Sequence, residues 1–377
     1  MFPSRRITTM GGDVFRDEHS LAFDGTDDYI QLGEDFELNT FSVSAWVKTT
    51  TDSTAQIIIG TRSASDKGWI CYLNSNEIPT FKNMNVTITS SETVALNKWY
   101  HLAFTFDGTS DNYGIYINGK QNTYTSSATV SVADCDPARI GVEAYNTSYD
   151  WFGNISEVAV YDAELTASQI ATIYNGREPY NHKEGVASGN LQAWYRMGDG
   201  VLDNTDTKEG GIISDEADNT EIGVDLVDDV MNASNWSNFT GNNNTIALDS
   251  GAIKITWVDD ADGGYVYLRD SKGLTTDLTV GKVYRVSFSA KVNTGSVSLN
   301  IYETGGFNVQ GPSITSTSFE SHSIYIVCTA TQDHHFWADG MADGEIIWIT
   351  DVKVQEISGN AGVVVNMDNN QFSGDTP

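Results

Sequence analysis

The 377 residues carry 51 Asp plus Glu against 21 Lys plus Arg, a formal charge of -30, in a chain long enough for two or three domains with cores of their own. Such a charge repels phosphate backbones and anionic lipid, which excludes nucleic acid as a partner, while it favours solubility and supplies oxygen ligands for hard divalent cations. No apolar run is long enough to cross a bilayer, the opening MFPSRRITTMGGDVFRDEH has no apolar stretch, and Cys71, Cys135 and Cys328 are too scattered for a disulfide framework, so neither membrane insertion nor a signal peptide is expected and the redox compartment stays open.

In chain order, residues 1–19 read as an arm, with Arg5 and Arg6 and no acid in residues 1–12. It is either a basic anchor for an acidic neighbouring surface or a loose terminus with incidental charge. Next comes LAFDGTDDYIQLG at 21–33. Its DGTDD tip is either a tight turn, with Asp and Gly supplying an Asx hydrogen bond and a positive φ, or a set of metal-binding carboxylates, Asp24, Asp27 and Asp28. FSVSAWVK at 41–48, WYHLAFTF at 99–106, YGIYING at 113–119 and SEVAVYD at 156–162 alternate with period two, as half-buried antiparallel strands do. Gly114 to Lys120 spells part of a phosphate loop, but Asn118-Gly119 between alternating runs predicts a hairpin turn, and Gln121 stands where a magnesium-binding Ser or Thr belongs. LTASQIATIYNG at 165–176 predicts a helix capped by Thr166, faced by Leu165, Ile170 and Ile173, and stopped by Gly176.

Residues 177–224 lapse into polar, acidic sequence around one apolar anchor, NLQAWYRMGDG, and read as a linker. A second β series fills 225–357, including AIKITWV, VYRVSFSAKV, HSIYIVCTA and EIIWITDVKVQEI. The tail, 358–377, carries Val363, Val364, Val365, Met367 and Phe372, a cluster too apolar for a disordered end. The expected fold class is all-β, two β-sandwiches in series.

FDGTDDYIQLG, FSVSAWVK, NKWYHLAFTFDGTSDNYGIYINGK, RIGVEA and FGNISEVAVYDAELTASQIATIYN, in that order and spacing, resemble a laminin-G-like, concanavalin A-type jelly roll over residues 20–176. Through DLVDDVMNASNWS, LTVGKVYRVSFSAKV and IIWITDVKVQEI, residues 225–357 resemble a carbohydrate-binding-module-like jelly-roll sandwich. NLQAWYRMGDG and the closing VVVNMDNNQFSGDTP are similar to segments that follow such a jelly roll in structural proteins of marine tailed bacteriophages. If those two segments normally adjoin, the second sandwich is an insertion and the tail returns to the first domain. The jelly-roll resemblance also implies a calcium site on the rim where FDG meets the strand before the last helix. The family pattern there is GxIDEV, and this chain has Gly153-Asn-Ile-Ser-Glu-Val158, which leaves Glu157 as a displaced ligand beside Asp24, Asp27 and Asp28.

Concanavalin A-type folds include glycosidases with a Glu-x-Asp-x-x-Glu motif, whose letters recur from Glu216 to Glu221, but in the polar linker rather than on a strand, so no enzyme is expected. His334-His335 would point to opposite strand faces. Sugars stack their C–H faces on aromatic rings and bond through hydroxyls to neighbouring polar groups. The loop EAYNTSYDWFGN at 143–154 offers that mixture without strand period, making Tyr145, Asn146, Tyr149 and Trp151 candidate carbohydrate contacts, with Trp257, Tyr265, Tyr267 and Trp337 comparable in the second series. Trp46, Trp99 and Trp348 lie in apolar strands and are expected in cores.

The reading that follows is a non-enzymatic virion surface protein of a tailed phage, in a fibre, tail or capsid decoration, binding host cell-surface glycans and other virion proteins as a homo-oligomer, a trimer first. A virion connector without a ligand and a secreted, extracellular bacterial adhesin are the alternatives.

Overall fold

The computed structural model describes residues 16–377 apart from 53, 66, 84–85, 128–131, 133, 146–148, 179, 201, 204–210, 218–220, 228–229, 239–243, 259–265, 270–272, 304–307, 310, 329–333, 340–341 and 368–370. Arg5, Arg6, Asn146, Tyr265 and the side chain of Trp337 lie outside that set. The chain is all-β, built as two sandwiches, and no helix among the described residues is long and apolar enough to cross a membrane.

The first sandwich stacks two eight-stranded sheets. One runs Lys120–Ser126, Asn112–Ile117, Tyr100–Asp107, Thr40–Thr49, Phe152–Tyr161, Ser20–Asp24, Phe372–Ser373, with Leu191–Tyr195 also on Phe152–Tyr161. The other runs Ile212–Ile213, Gly362–Val365, Tyr29–Leu32, Arg139–Ile140, Gln56–Gly60, Trp69–Leu73, Pro79–Asn83, Val86–Thr89. Alternation explains the pairing: Phe41, Val43, Ala45, Val47, Leu102, Phe104 and Phe106 all enter one core, where Phe41 and Phe81 meet edge-on at 5.8 Å. Asn118 and Gly119 take φ 50 and 74 at the expected hairpin turn, joining Asn112–Ile117 to Lys120–Ser126.

The helix Ala167–Tyr174 is capped by Thr166, whose hydroxyl accepts from the Gln169 amide while the Gln169 side chain accepts from the Thr166 amide. It ends at Asn175 in the left-handed region (φ 48), one residue before the expected Gly176. Leu165, Ile170 and Ile173 pack on Tyr116, Ala159, Tyr161 and Trp194, roofing the outer side of the first sheet.

Residues 177–224 are not a free linker. Leu191–Tyr195 and Ile212–Ile213 are strands of the first sandwich, because Ala193, Tyr195 and Ile213 fill its core. The closing residues return there too: Gly362–Val365 lies between Ile212–Ile213 and Tyr29–Leu32, and Phe372–Ser373 pairs with Ser20–Leu21.

The second sandwich is strung between those returning segments. Its first sheet runs Thr245–Asp249, Ala252–Thr256, Ile346–Ile357, Val283–Val292, Glu320–Val327, with Ile222–Asp225 also on Ile346–Ile357. The facing sheet runs Trp236–Asn238, Val266–Arg269, His334–Asp339, Val297–Glu303, Asn308–Val309, with Ser313–Ile314 on Val297–Glu303. Where the chain leaves and rejoins the first sandwich, the Ser358 amide donates to the Glu221 carbonyl at 2.9 Å and the Glu221 amide to the Ser358 hydroxyl at 2.8 Å. The sandwiches touch through an apolar cluster in which Val283, Tyr325, Val327 and Ile357 meet Ile212, Ala361 and Val363. Backbone meets backbone beside it: a Cβ at Gly33 would fall 2.0 Å from the Gly281 carbonyl oxygen.

Candidate functional site

Asp24 stands opposite Phe152 and Phe23 opposite Gly153, so the DGTDD turn and the end of the 143–152 loop share one rim. Gly25 has φ 77 and lies under the Phe152 ring, where a Cβ would come within 1.7 Å of a ring carbon. The Thr26 amide donates to Asp24 Oδ1 at 2.8 Å, an Asx-type bond, and the Asp24 amide donates to Asp28 Oδ2 at 2.8 Å. The turn geometry gathers the acids as well: Asp24, Asp27 and Asp28 each offer a carboxylate oxygen, all within 4.8 Å of one another.

Asp150 approaches from the loop side. Its Oδ1 is buried without a hydrogen-bond partner among the described residues, and burial, followed by the charges of Asp27 and Asp24, pushes its carboxyl above the usual range. An orphaned carboxylate oxygen beside other carboxylates is costly until a cation joins them. These donors are hard oxygens, the set that calcium takes, so the residues fit that ion. Asn366 on the returning segment braces the turn by donating to the Asp27 carbonyl at 3.2 Å. Asp150 was visible in the sequence only as one polar residue of an aperiodic loop; what marks it out is its position across the rim.

Glu157 does not join this group. Ser156 pairs opposite Trp46 and Ala159 opposite Ser44, so a bulge takes up the residues between, with Glu157 at φ 51. The bulge turns its side chain beneath the outer roof, where it accepts from Trp194 Nε1 at 2.5 Å and from Arg196 Nε at 3.4 Å. Burial, then the charge of Asp17, raises its carboxyl well above the ordinary value. Asp17 is pushed up to about 7 by burial and by Asp199. Both acids line a small recess shared with Trp46, Tyr180 and His182.

The aromatic candidates divide by burial. Tyr145 and Tyr149 are 39% and 51% exposed, with the Arg62 guanidinium 5.5 Å from the Tyr145 ring centre, and Phe152, which sequence reading passed over, is 38% exposed on the same rim. Trp151 is wholly buried in the first core, since its amide, bonded to the Gly141 carbonyl at 2.7 Å, fixes the loop with the indole inward. Trp257 is equally buried in the second core, where it ends the inward series Ile253, Ile255. Tyr267 is half-buried and in register with Trp337. Trp99 and Trp348 leave the cores expected for them and are half-exposed, bonded through Nε1 to Asp375 and Asp249, each at 3.0 Å. The Glu216 amide is tied to the Trp194 carbonyl, and Glu221 is exposed where the chain crosses between sandwiches.

Residues 24–171 match the family model of the concanavalin A-like lectin/glucanases superfamily. A curated relative, the sushi, von Willebrand factor type A, EGF and pentraxin domain-containing protein 1 of Rattus norvegicus, is 22% identical over 164 residues, which is 41% of this chain. The chain spans 4% of that relative's length. Among solved structures, a heptameric SAP-like pentraxin from Limulus polyphemus is similar at 16% identity and TM-score 0.35, over 42% of this chain and 82% of that one. The CBM40 of an IT-sialidase from Ruminococcus gnavus, bound to alpha2,3 sialyllactose, is similar at 16% identity and TM-score 0.37, over 41% of this chain and 95% of that one.

Proposed function

We propose that the chain is a non-enzymatic glycan-binding protein whose first sandwich meets sugar at the rim formed by DGTDD and the 143–152 loop. The observation that carries this reading is the convergence of Asp24, Asp27 and Asp28 within 4.8 Å, next to the orphaned Asp150 oxygen and the exposed Tyr149 and Phe152. Asp24, Asp27 and Asp28 would hold calcium, with Asp150 adding negative charge from across the rim; the ion supplies charge neutralisation and coordination positions for sugar hydroxyls. The chain's own residues do the rest: the bond from the Thr26 amide fixes the turn, Phe152 covers Gly25, and Tyr145 and Tyr149 offer ring faces. Glycan-array binding of the full chain with calcium or with EDTA tests this. Binding that needs calcium and is lost in Asp27→Asn and Tyr149→Ala supports the rim; binding indifferent to all three refutes it.

Placement on a tailed-phage virion, in contact with other virion proteins and as a trimer, belongs to the same proposal. Its support is the resemblance of WYRMGDG and the closing segment, which are neighbours in space: a Cβ at Gly198 would fall 2.8 Å from the Phe372 ring. Mass spectrometry of purified particles decides it, and absence of the chain from them would overturn it.

A further inference from the structure

The outer side of the sheet built on Ile346–Ile357 carries a cationic and aromatic row. Ile253, Ile255, Ala290, Val292, Ile347 and Ile349 face the core, so the alternate residues Lys254, Lys291 and Trp348 fall outside. Register sets them side by side, with Lys254 opposite Trp348 on one flank and Lys291 opposite it on the other. Lys254 Nζ is 5.7 Å and Lys291 Nζ 4.9 Å from the Trp348 ring centre, and Lys291 is also 4.8 Å from that of Phe319, which is 45% exposed. The next row is hydroxyl-bearing: Ser289 pairs with both Thr350 and Ser321, their serine oxygens 3.2 Å apart. Beyond it stand exposed Lys353 and half-buried Arg285, the latter bonded to the Ser323 hydroxyl at 3.1 Å. Acids border the face as well: Asp249 on the edge strand, accepting from Trp348 Nε1, exposed Asp351 at a bulge with φ 53, and exposed Asp225 opposite Gln355.

Four of the chain's 21 Lys plus Arg thus sit on one sheet face of a molecule with net charge -30. Solubility does not call for them, since the acidic surplus already provides it. Lys254 and Lys291 stand beside an indole face, where a ring stacked on Trp348 would bring its own substituents. A neutral glycan would leave both ammonium groups without a counter-charge from the ligand.

We propose that this face binds an anionic polysaccharide, a sugar ring stacking on Trp348 while its carboxylate or sulfate groups pair with Lys254 and Lys291 and its hydroxyls meet Ser289, Ser321 and Thr350. The site needs no cation and shares no residue with the Asp24 rim, so the two proposals fail separately. The test is affinity electrophoresis of the full chain in EDTA, through gels containing alginate, dextran sulfate or neutral dextran. Retardation by alginate or dextran sulfate but not by dextran, weakened by salt and reduced about tenfold or more in the double variant Lys254→Gln, Lys291→Gln and in Trp348→Ala, is expected. Which charged polymer retards it assigns carboxylate or sulfate. Circular dichroism and an unchanged melting temperature confirm that the variants fold. No retardation by either charged polymer, equal retardation by dextran, or retention untouched by the substitutions in folded protein overturns the proposal.

Discussion

On the outer side of the first sandwich, Tyr116, Tyr161 and Trp194 are sealed beneath Leu165, Ile170 and Ile173, whereas on the outer side of the second, Trp348 stands half-exposed between two lysines. Both sheets were written with the same period-two alternation. A third layer covers one of them, and the polar groups on that side, Glu157 and His182 among them, are buried beneath it; the other keeps a face for solvent. A strand's alternation fixes which residues share a face, and what packs on that face decides between core and binding surface.

The widest gap between the two sandwiches should open with tryptophan. Trp151→Ala is expected to cost ~3–5 kcal/mol in urea unfolding, because it empties a fully buried indole site, and Trp348→Ala less than ~1 kcal/mol. Similar losses would erase the contrast. Calcium comes next: at about 100 times its dissociation constant it should stabilise the first sandwich by ~2.7 kcal/mol, read as slowed amide exchange there and not in the second. Asp27→Asn should abolish the effect, and equal protection of both sandwiches would show that the rim is not the site.

Acidity sharpens the same division. Asp17 is pushed from 3.8 to about 7 in the folded chain, so the folded state binds the proton more tightly than the unfolded one. Its contribution is therefore complete below about pH 4 and is lost as pH rises through about 7, at a slope of up to ~1.4 kcal/mol per pH unit. Asp17→Asn should flatten that slope in unfolding curves taken from pH 4 to 8, and an unchanged slope would place the titration elsewhere. The smallest effect belongs to the roof: Thr166→Ala removes the helix cap and should cost ~1 kcal/mol, measurable by chemical denaturation.

Strands, the Asn118-Gly119 hairpin and the helix were legible because each is set by neighbours in sequence. Local spacing carried less information about the site. Asp24, Asp27 and Asp28 could be named from one turn, but Asp150 comes within reach of their charges only through strand pairing, and Glu157 is turned away by a bulge whose extra residue leaves no mark in an apolar run. Trp151 misled in the opposite sense: an aperiodic polar loop suggests exposure, yet one inward indole anchors it. Leu191–Tyr195 and Ile212–Ile213 hid in acidic surroundings because their partners are Phe152–Tyr161, in an earlier run, and Gly362–Val365, in the closing segment.

The bonded pair Glu221 and Ser358 bears on the order in which the molecule is made. Ser20 donates to the Asp375 carbonyl across 355 positions, and Gly362–Val365 is the strand between Tyr29–Leu32 and Ile212–Ile213. During synthesis the first sandwich must therefore wait, with two places in its sheets vacant, until the ribosome has delivered everything through Ser373, while the second has all its strands by Ile357. The sandwich whose strands come first is the last to close, and any stall between Glu221 and Ser358 exposes the open edges of its sheets for the length of the delay.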